Sequence, residues 1–200
     1  MKWMIASDLH GAAGFVRRLL ERFEQEGADR LLLLGDILYH GPRNDLPPEY
    51  APKEVIALLT PYKDRIFCVR GNCDTEVDQM VLPFPILADY AVLSQGNRLI
   101  YITHGHVYNP QNLPPLQPGD VLLMGHTHVP MAKEENGLLF LNPGSVSIPK
   151  EQSPHSYMIL EEGTLSWKDL EDVYKRQALH RLHLSPQSRH RCFRAFSGSP

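Results

Sequence analysis

The sequence predicts an α/β fold, a four-layer αββα sandwich of two mixed β-sheets flanked by helices. Three observations lead there. Up to Val69 the chain alternates short apolar runs with amphipathic stretches, the pattern of a parallel βαβ unit whose helices lie on the sheet. After Asp89 the texture changes to short strands joined by hairpin signals, which reads as a second, mixed sheet. Two packed sheets with helices outside would cover all of these apolar runs.

Each element has its own signal. Residues 2–7 read as a short buried strand. Beyond Gly11 the apolar positions Phe15, Leu19, Leu20 and Phe23 share one helical face, and Gly27 is the expected stop. Residues 30–34 are the second strand. Pro52 can open the next helix, because its missing N–H falls in the unpaired first turn, with Val55, Ile56, Leu58 and Leu59 facing inward. Residues 66–69 are the third strand. In the second half, 90–93 and 99–103 flank the turn Gln95-Gly96-Asn97, 121–124 and 138–141 are further apolar runs, and 158–161 and 165–167 flank Gly163. No internal repeat is visible.

At 200 residues and 42% apolar content the chain can bury one good core, which favours a single domain, taken as 1–172. The remainder, 173–200, has no acidic residue and mixes Arg, His, Ser and Pro without periodicity. The hexapeptide 172–177 resembles a translated transposon end, so this segment is expected to be a non-native or disordered basic tail. The functional alternative is a tail that binds RNA or an acidic partner. The opening apolar run of four residues meets Asp8 at once, too short for a signal peptide, and Arg30 and Asp36 bracket the best later run. Three cysteines, Cys68, Cys73 and Cys192, fall in no knuckle spacing and suit a reducing compartment. The expectation is a cytoplasmic protein without a membrane partner. All 23 acidic residues lie in 1–172, so the body is more acidic than the net charge of −3 suggests, which argues against binding long nucleic acid.

Polar clusters punctuate the apolar strands. Asp8-Leu9-His10 follows the first, Gly35-Asp36 the second and Gly71-Asn72-Cys73-Asp74 the third, at the carboxyl ends where open α/β sheets place ligands. His104-Gly105-His106 and Gly125-His126-Thr127-His128 follow strands of the second half. Singly, each is commonplace: Asp-x-His is more often a turn or cap, and Gly-Asp and Gly-Asn-x-Asp are turn signals. Five in order, each after an apolar strand, point to one metal site. The set Asp8, His10, Asp36, Asn72, His104, His126 and His128 combines hard oxygen with imidazole nitrogen, which suits Mn, Fe or Zn better than Ca. Seven donors exceed one ion of this kind. Two ions about 3.5–4 Å apart sharing a carboxylate would use them, and such a pair favours phosphoryl hydrolysis.

This order of motifs resembles the calcineurin-like metallophosphoesterase signature. With the loops His40-Gly41-Pro42-Arg43-Asn44 and Asn142-Pro143-Gly144-Ser145-Val146-Ser147-Ile148-Pro149, it is similar to the small bacterial YfcE-type phosphodiesterases over nearly all of 1–170. The resemblance implies that Asp8, His10, Asp36 and His128 hold a first divalent ion and Asp36, Asn72, His104 and His126 a second, with Asp36 as the bridge. Manganese is the first expectation, with zinc, iron or nickel as alternatives, and a hydroxide between the ions would be the nucleophile. The family pattern most often has His where this chain has Cys73, so Cys73 either shares in catalysis or packs beside the ions. Arg70 either aims at phosphate or pairs with a carboxylate. His40, Arg43 and His106 are candidate substrate contacts, Asp74 orients a ligand or caps a turn, and residues 142–145 are expected to be structural.

The function so implied is two-metal hydrolysis of small phosphodiesters. A phosphomonoesterase, a nuclease of the same superfamily and a catalytically silent binding scaffold are the alternatives, and self-association into a homo-oligomer stays open.

Overall fold

Alternation within β1 (Lys2–Ala6) and β2 (Arg30–Leu33) puts Met4, Ala6, Leu31 and Leu33 on one face and Ile5 and Leu32 on the other. All six are buried, so both faces must be covered. The structure, a computed structural model, describes residues 1–171 and 180–184. On the first face lies α1 (Ala13–Glu26), whose Phe15, Val16, Leu19, Leu20 and Phe23 form a single buried stripe. It ends where Gly27 turns left-handed and its N–H returns to Glu24 O. The second helix, α2 (Pro52–Leu59), buries Val55 and Leu59 and runs into a 3-10 turn, Thr60–Arg65, before β3 (Ile66–Cys68).

After β3 the chain forms one short helix, α3 (Glu76–Val81), closed at its start by a reciprocal pair of bonds between Thr75 and Asp78. It then crosses to a second sheet of five strands. These are β4 (Ala91–Gln95), β5 (Arg98–Ile102), β6 (Val121–Leu123), β7 (Met131–Glu135) and β8 (Leu138–Asn142), in the order β4-β5-β6-β8-β7. Strands β5, β6 and β8 are parallel, while β4 and β7 pair antiparallel at the edges. The last hairpin, β9 (Ser156–Glu161) and β10 (Thr164–Asp169), does not stay with this second sheet. It returns to the first, where β9 lies antiparallel beside β1 with Met4 opposite Ile159. The sequence signals show a hairpin but carry no information about its partner, so its assignment to the second half is corrected here.

The sandwich of two mixed sheets is therefore present, and Ile5, Leu32 and Leu34 meet Ile102, Leu123 and Leu141 between the layers. Trp167 spans them and donates Nε1–H to Asn142 O at 2.7 Å. The fourth layer is made differently from the others. Among the described residues no helix lies on the outer face of the second sheet, where Tyr101, Leu122 and Phe140 are covered by Tyr108 and Leu116 of an irregular segment. No helix among the described residues is long and apolar enough to cross a membrane.

Four residues of the segment expected to lie outside the fold, His180–His183, form β11 on the edge of β10, and Leu184 is buried. The rest of that segment, with Cys192, lies outside the described residues.

Candidate metal centre

The parallel strands β1, β2 and β3 in one sheet and β5 and β6 in the other end on the same side of the sandwich. The loops that follow them carry Asp8, His10, Asp36, Asn72, His104, His126 and His128, and the structure brings all seven together. The Nε2 of His128 lies 3.1 Å from Asp8 Oδ1, and that of His10 lies 3.7 Å from the same oxygen and 3.6 Å from Asp36 Oδ2. The Nε2 of His104 is 3.5 Å from Asp36 Oδ2, 3.1 Å from Asn72 Oδ1 and 3.3 Å from His126 Nδ1. Within this cluster Asp8, His10 and His128, and likewise Asp8, Asp36 and His104, offer ligand atoms that all lie within 4.8 Å of one another.

The backbone is bent to achieve this. Asp8, His10, Asp36, His126 and His128 all have left-handed φ, between 46° and 66°. Asp and His tolerate that region better than most side chains, yet each such residue costs energy that surrounding bonds must offset. Those bonds are visible. The N–H groups of Leu9 and His10 both reach Asp36 O, and the carbonyl of Asp8 accepts from Ser145 Oγ at 3.0 Å and Ser147 Oγ at 2.8 Å. Asp74 accepts the N–H groups of Asp36, Ile37 and Gly71 at 2.7–2.9 Å and so clamps the second and third loops together. Of the two expectations for Asp74, the structure shows the turn-capping one. Gly35 and Gly71 are the contact point: a Cβ on Gly35 would stand 2.4 Å from Gly71 N, and one on Gly71 would collide with Asp36 Oδ1.

Three imidazoles are fixed in one tautomer. Nδ1 of His10, His104 and His128 faces a backbone carbonyl, of Tyr39, Leu34 and Ile148 respectively, at 2.7–2.8 Å. A carbonyl only accepts, so each Nδ1 carries a hydrogen and each neutral ring turns an Nε2 lone pair inward. His10 and His128 thus point two lone pairs at each other across 3.4 Å. Asp8 Oδ1, wholly buried, has no hydrogen-bond partner. In the interior of the site acceptors crowd together, with the N–H groups of Cys73 and His126 on Asp36 Oδ1 and Asp8 Oδ2, an arrangement that cations complete.

Charge follows the same logic. Burial opposes ionisation of Asp8, but the adjoining rings of His10 and His128 and the charge of His104 hold its carboxyl well below the usual range. Burial alone would lower His104, yet the Asp36 hydrogen bond and the Asp8 charge push it up to about 9. Without an ion, a proton on an imidazole satisfies the carboxylates. Burial, aided by the positive His104, takes His126 down to about 4, so that ring stays neutral and available.

Of the remaining candidates, Cys73 is buried and its N–H donates to Asp36 Oδ1 at 2.8 Å, while burial and the Asp36 carboxylate push its thiol far above the usual range. It is a neutral S–H beside the central carboxylate. Gly41 passes directly over it, since a Cβ there would lie 3.2 Å from Cys73 Sγ. His40 stacks edge-on between Tyr39 and Tyr50, and Arg43 is exposed on the same loop. Arg70 is half-held, with Nε on Asp74 O at 3.3 Å and Nη2 3.8 Å from Glu76 Oε1. His106 is exposed, with its ring centroid 5.4 Å from His104 and 6.3 Å from His126. Asn142 bonds Gly125 O and Thr127 Oγ1, and so holds the loop that presents His126 and His128. Ser147 shares the carbonyl of Asp8 with Ser145, a role the sequence does not reveal, because nothing in Ser-x-Ser marks a partner 139 residues away.

Known proteins resemble this chain in sequence and fold. Residues 1–164 match the model of the calcineurin-like phosphoesterase superfamily domain. The phosphodiesterase YfcE of Escherichia coli K12 is 48% identical over 172 residues, which span 86% of this chain and 94% of that protein. A solved structure of the YfcE phosphoesterase from E. coli covers 92% of this chain and 100% of its own, with a TM-score of 0.87 and 45% identity. Vps29 of Entamoeba histolytica, solved in complex with zinc, shares the fold at 21% identity, covering 92% of this chain and 100% of its own with a TM-score of 0.56. The chain belongs to the calcineurin-like phosphoesterase superfamily.

Proposed function

We propose that this protein hydrolyses small phosphodiesters with two divalent cations. Asp8, His10, Asp36 and His128 would hold one ion and Asp36, Asn72, His104 and His126 the other. The observation that carries this reading is the convergence of buried carboxylates and backbone-fixed imidazoles on one cluster, in which Asp8 Oδ1 has no hydrogen-bond partner among the described residues. The similarity to a named phosphodiesterase supports the substrate class. When bound, the ions supply a nucleophilic hydroxide at neutral pH and positive charge against the phosphate. Manganese is the expected metal, since the donor set has no required thiolate and mixes carboxylate with imidazole.

The chain's own residues do the rest. His10, His104 and His128 are held by backbone carbonyls so that ligand geometry is set before substrate arrives. Arg70, His106, His40 and Arg43 stand around the opening as contacts for the ester's oxygens and substituents. Cys73 offers only a weak donor to a departing oxygen, which favours leaving groups that need little protonation, such as aryl alcohols. The expected setting is the cytoplasm, as a monomer or a homo-oligomer, without long nucleic acid as substrate.

The test is hydrolysis of bis(p-nitrophenyl) phosphate by the full chain with and without Mn2+, beside an Asp36→Asn variant. Activity should require metal, and the variant should lose on the order of 10³-fold while keeping its circular dichroism. Metal-independent turnover, or a variant as active as the parent, would reject the proposal. A scaffold that binds but does not cut would load two ions per chain and leave the diester intact.

A further inference from the structure

One loop touches the surroundings of both proposed ions, and its base and its tip are held by different means. Residues 38–51 run from the Asp36 turn to α2 without helix or strand. The base is pinned by main-chain bonds: Gly11 N–H donates to Ile37 O at 2.9 Å, Ala51 N–H to Gly11 O at 2.8 Å and Ala13 N–H to Glu49 O at 3.0 Å. From this base the carbonyl of Tyr39 meets Nδ1 of His10 at 2.8 Å. The tip, residues 40–44, is a turn that Asn44 closes twice. Its side-chain amide donates to His40 O at 2.8 Å and its N–H to Gly41 O at 3.4 Å.

The closed turn rests on Cys73. Gly41 takes a left-handed φ of 82°, and a Cβ there would lie 3.2 Å from Cys73 Sγ and 3.3 Å from Asn44 Nδ2, so its backbone is seated between the amide and the thiol. Cys73 Sγ in turn accepts from Asn72 Nδ2 at 3.2 Å, while Asn72 Oδ1 faces His104 Nε2 at 3.1 Å. A side-chain amide has one donor end and one acceptor end, so whatever holds Nδ2 on the sulphur also turns Oδ1 toward the ligand cluster. Asn72 is exposed, which leaves it dependent on such contacts for its orientation.

We infer that Asn44 is a positioning residue for the ion of Asn72, His104 and His126. By closing the turn on Cys73 it keeps the thiol where the amide of Asn72 can use it, and so keeps Asn72 Oδ1 aimed inward. The ion of His10 is insulated from this effect, because the base of the loop is pinned without Asn44. The inference rests on the two-ion reading and adds to it a residue that touches neither ion nor substrate.

The test titrates Mn2+ alone into the metal-free full chain by calorimetry and, separately, follows alkylation of Cys73 by iodoacetamide through the mass of its peptide. Asn44→Ala should weaken the ion on the Asn72 side about tenfold, the low end of what a ligand's partner is worth, and leave the other as tight as in the parent. Cys73 should be alkylated faster, because the turn no longer covers it. Asn44→Asp, equal in shape but without the N–H donor, should act like Asn44→Ala. Gly41→Ala, which strains the left-handed backbone and crowds the thiol, should weaken the same ion. Two ions bound by Asn44→Ala as by the parent, or both weakened equally, overturn the positioning role alone. An unchanged alkylation rate overturns it as well, since the turn then does not rest on Cys73. A parent that takes up fewer than two ions defeats the two-ion reading and this inference with it.

Discussion

The two ends of the ion site are held differently. On the side of Asp8, His10 and His128, every donor is buried, each imidazole is tied to a carbonyl, and two serines brace the carbonyl of Asp8. On the other side His104 is just as fixed, but Asn72 is exposed and donates its amide to Cys73 Sγ at 3.2 Å, and His126 is only half-buried with no carbonyl partner for its ring among the described residues. One end is preorganised and dry, while the other can adjust and meets solvent. On the proposed two-ion reading, the difference predicts that one cation is held as a fixture of the fold and the other is exchangeable, so loading should proceed in two steps of unequal strength.

The largest consequence concerns the ligands themselves. His10→Ala should abolish binding of the tighter ion, with a loss of at least about 100-fold in affinity, because even the partners of ligands are worth about 10- to 100-fold. His126→Ala should leave that ion in place and remove the weaker one. Metal content after dialysis against a graded chelator reads both, and one ion lost equally easily from either variant would erase the distinction.

A smaller effect is expected at Asp74, which touches both ends through the backbone of Asp36 and Gly71. Asp74→Asn sets an amide N–H against N–H donors. It should cost about 1–3 kcal/mol of stability by chemical denaturation and slow hydrolysis about 10- to 100-fold. Activity unchanged in a less stable protein would show that the clamp serves folding alone.

The smallest effect lies away from the site and checks that acid sensitivity is not all due to the ions. Glu26 on α1 meets Lys168 Nζ at 3.1 Å, Lys2 Nζ at 3.5 Å and Tyr157 OH at 3.3 Å. Burial works against its charge, but Lys168 and Lys2 hold its carboxyl below the usual range. Such a group stabilises above its unfolded pKa, and that contribution vanishes as pH falls through the lower native value. Glu26→Gln should flatten the stability profile below about pH 4.5 by about 1 kcal/mol, with metal binding untouched. A profile identical to the parent's would place the acid sensitivity elsewhere.

The convergence of the candidate ligands is legible in the sequence because each follows an apolar strand, and burial of those strands leaves the polar residues at their ends nowhere to go but the edge. Their left-handed backbones were not legible, since Asp-Leu-His and Gly-His-Thr-His take many conformations and only the bonds among distant loops select this one. Strand β7 escaped notice because Met131-Ala132-Lys133-Glu134-Glu135 has no buried face, as suits an exposed edge. Helix α3 had a readable start in Thr75-x-x-Asp78, but Val77, Met80 and Val81 turn outward, so no buried stripe announced it. The return of β9 to β1 is a matter of pairing between segments about 150 residues apart, which no local pattern encodes.

The contact of Gly35 with Gly71 sets the terms on which this protein can change. Where two loops touch backbone to backbone, no side chain larger than hydrogen can be admitted, and even one methyl group would pry the central carboxylate from its neighbours. Change is thus tolerated better at the periphery, at exposed positions such as 43 and 106, than where these two loops touch.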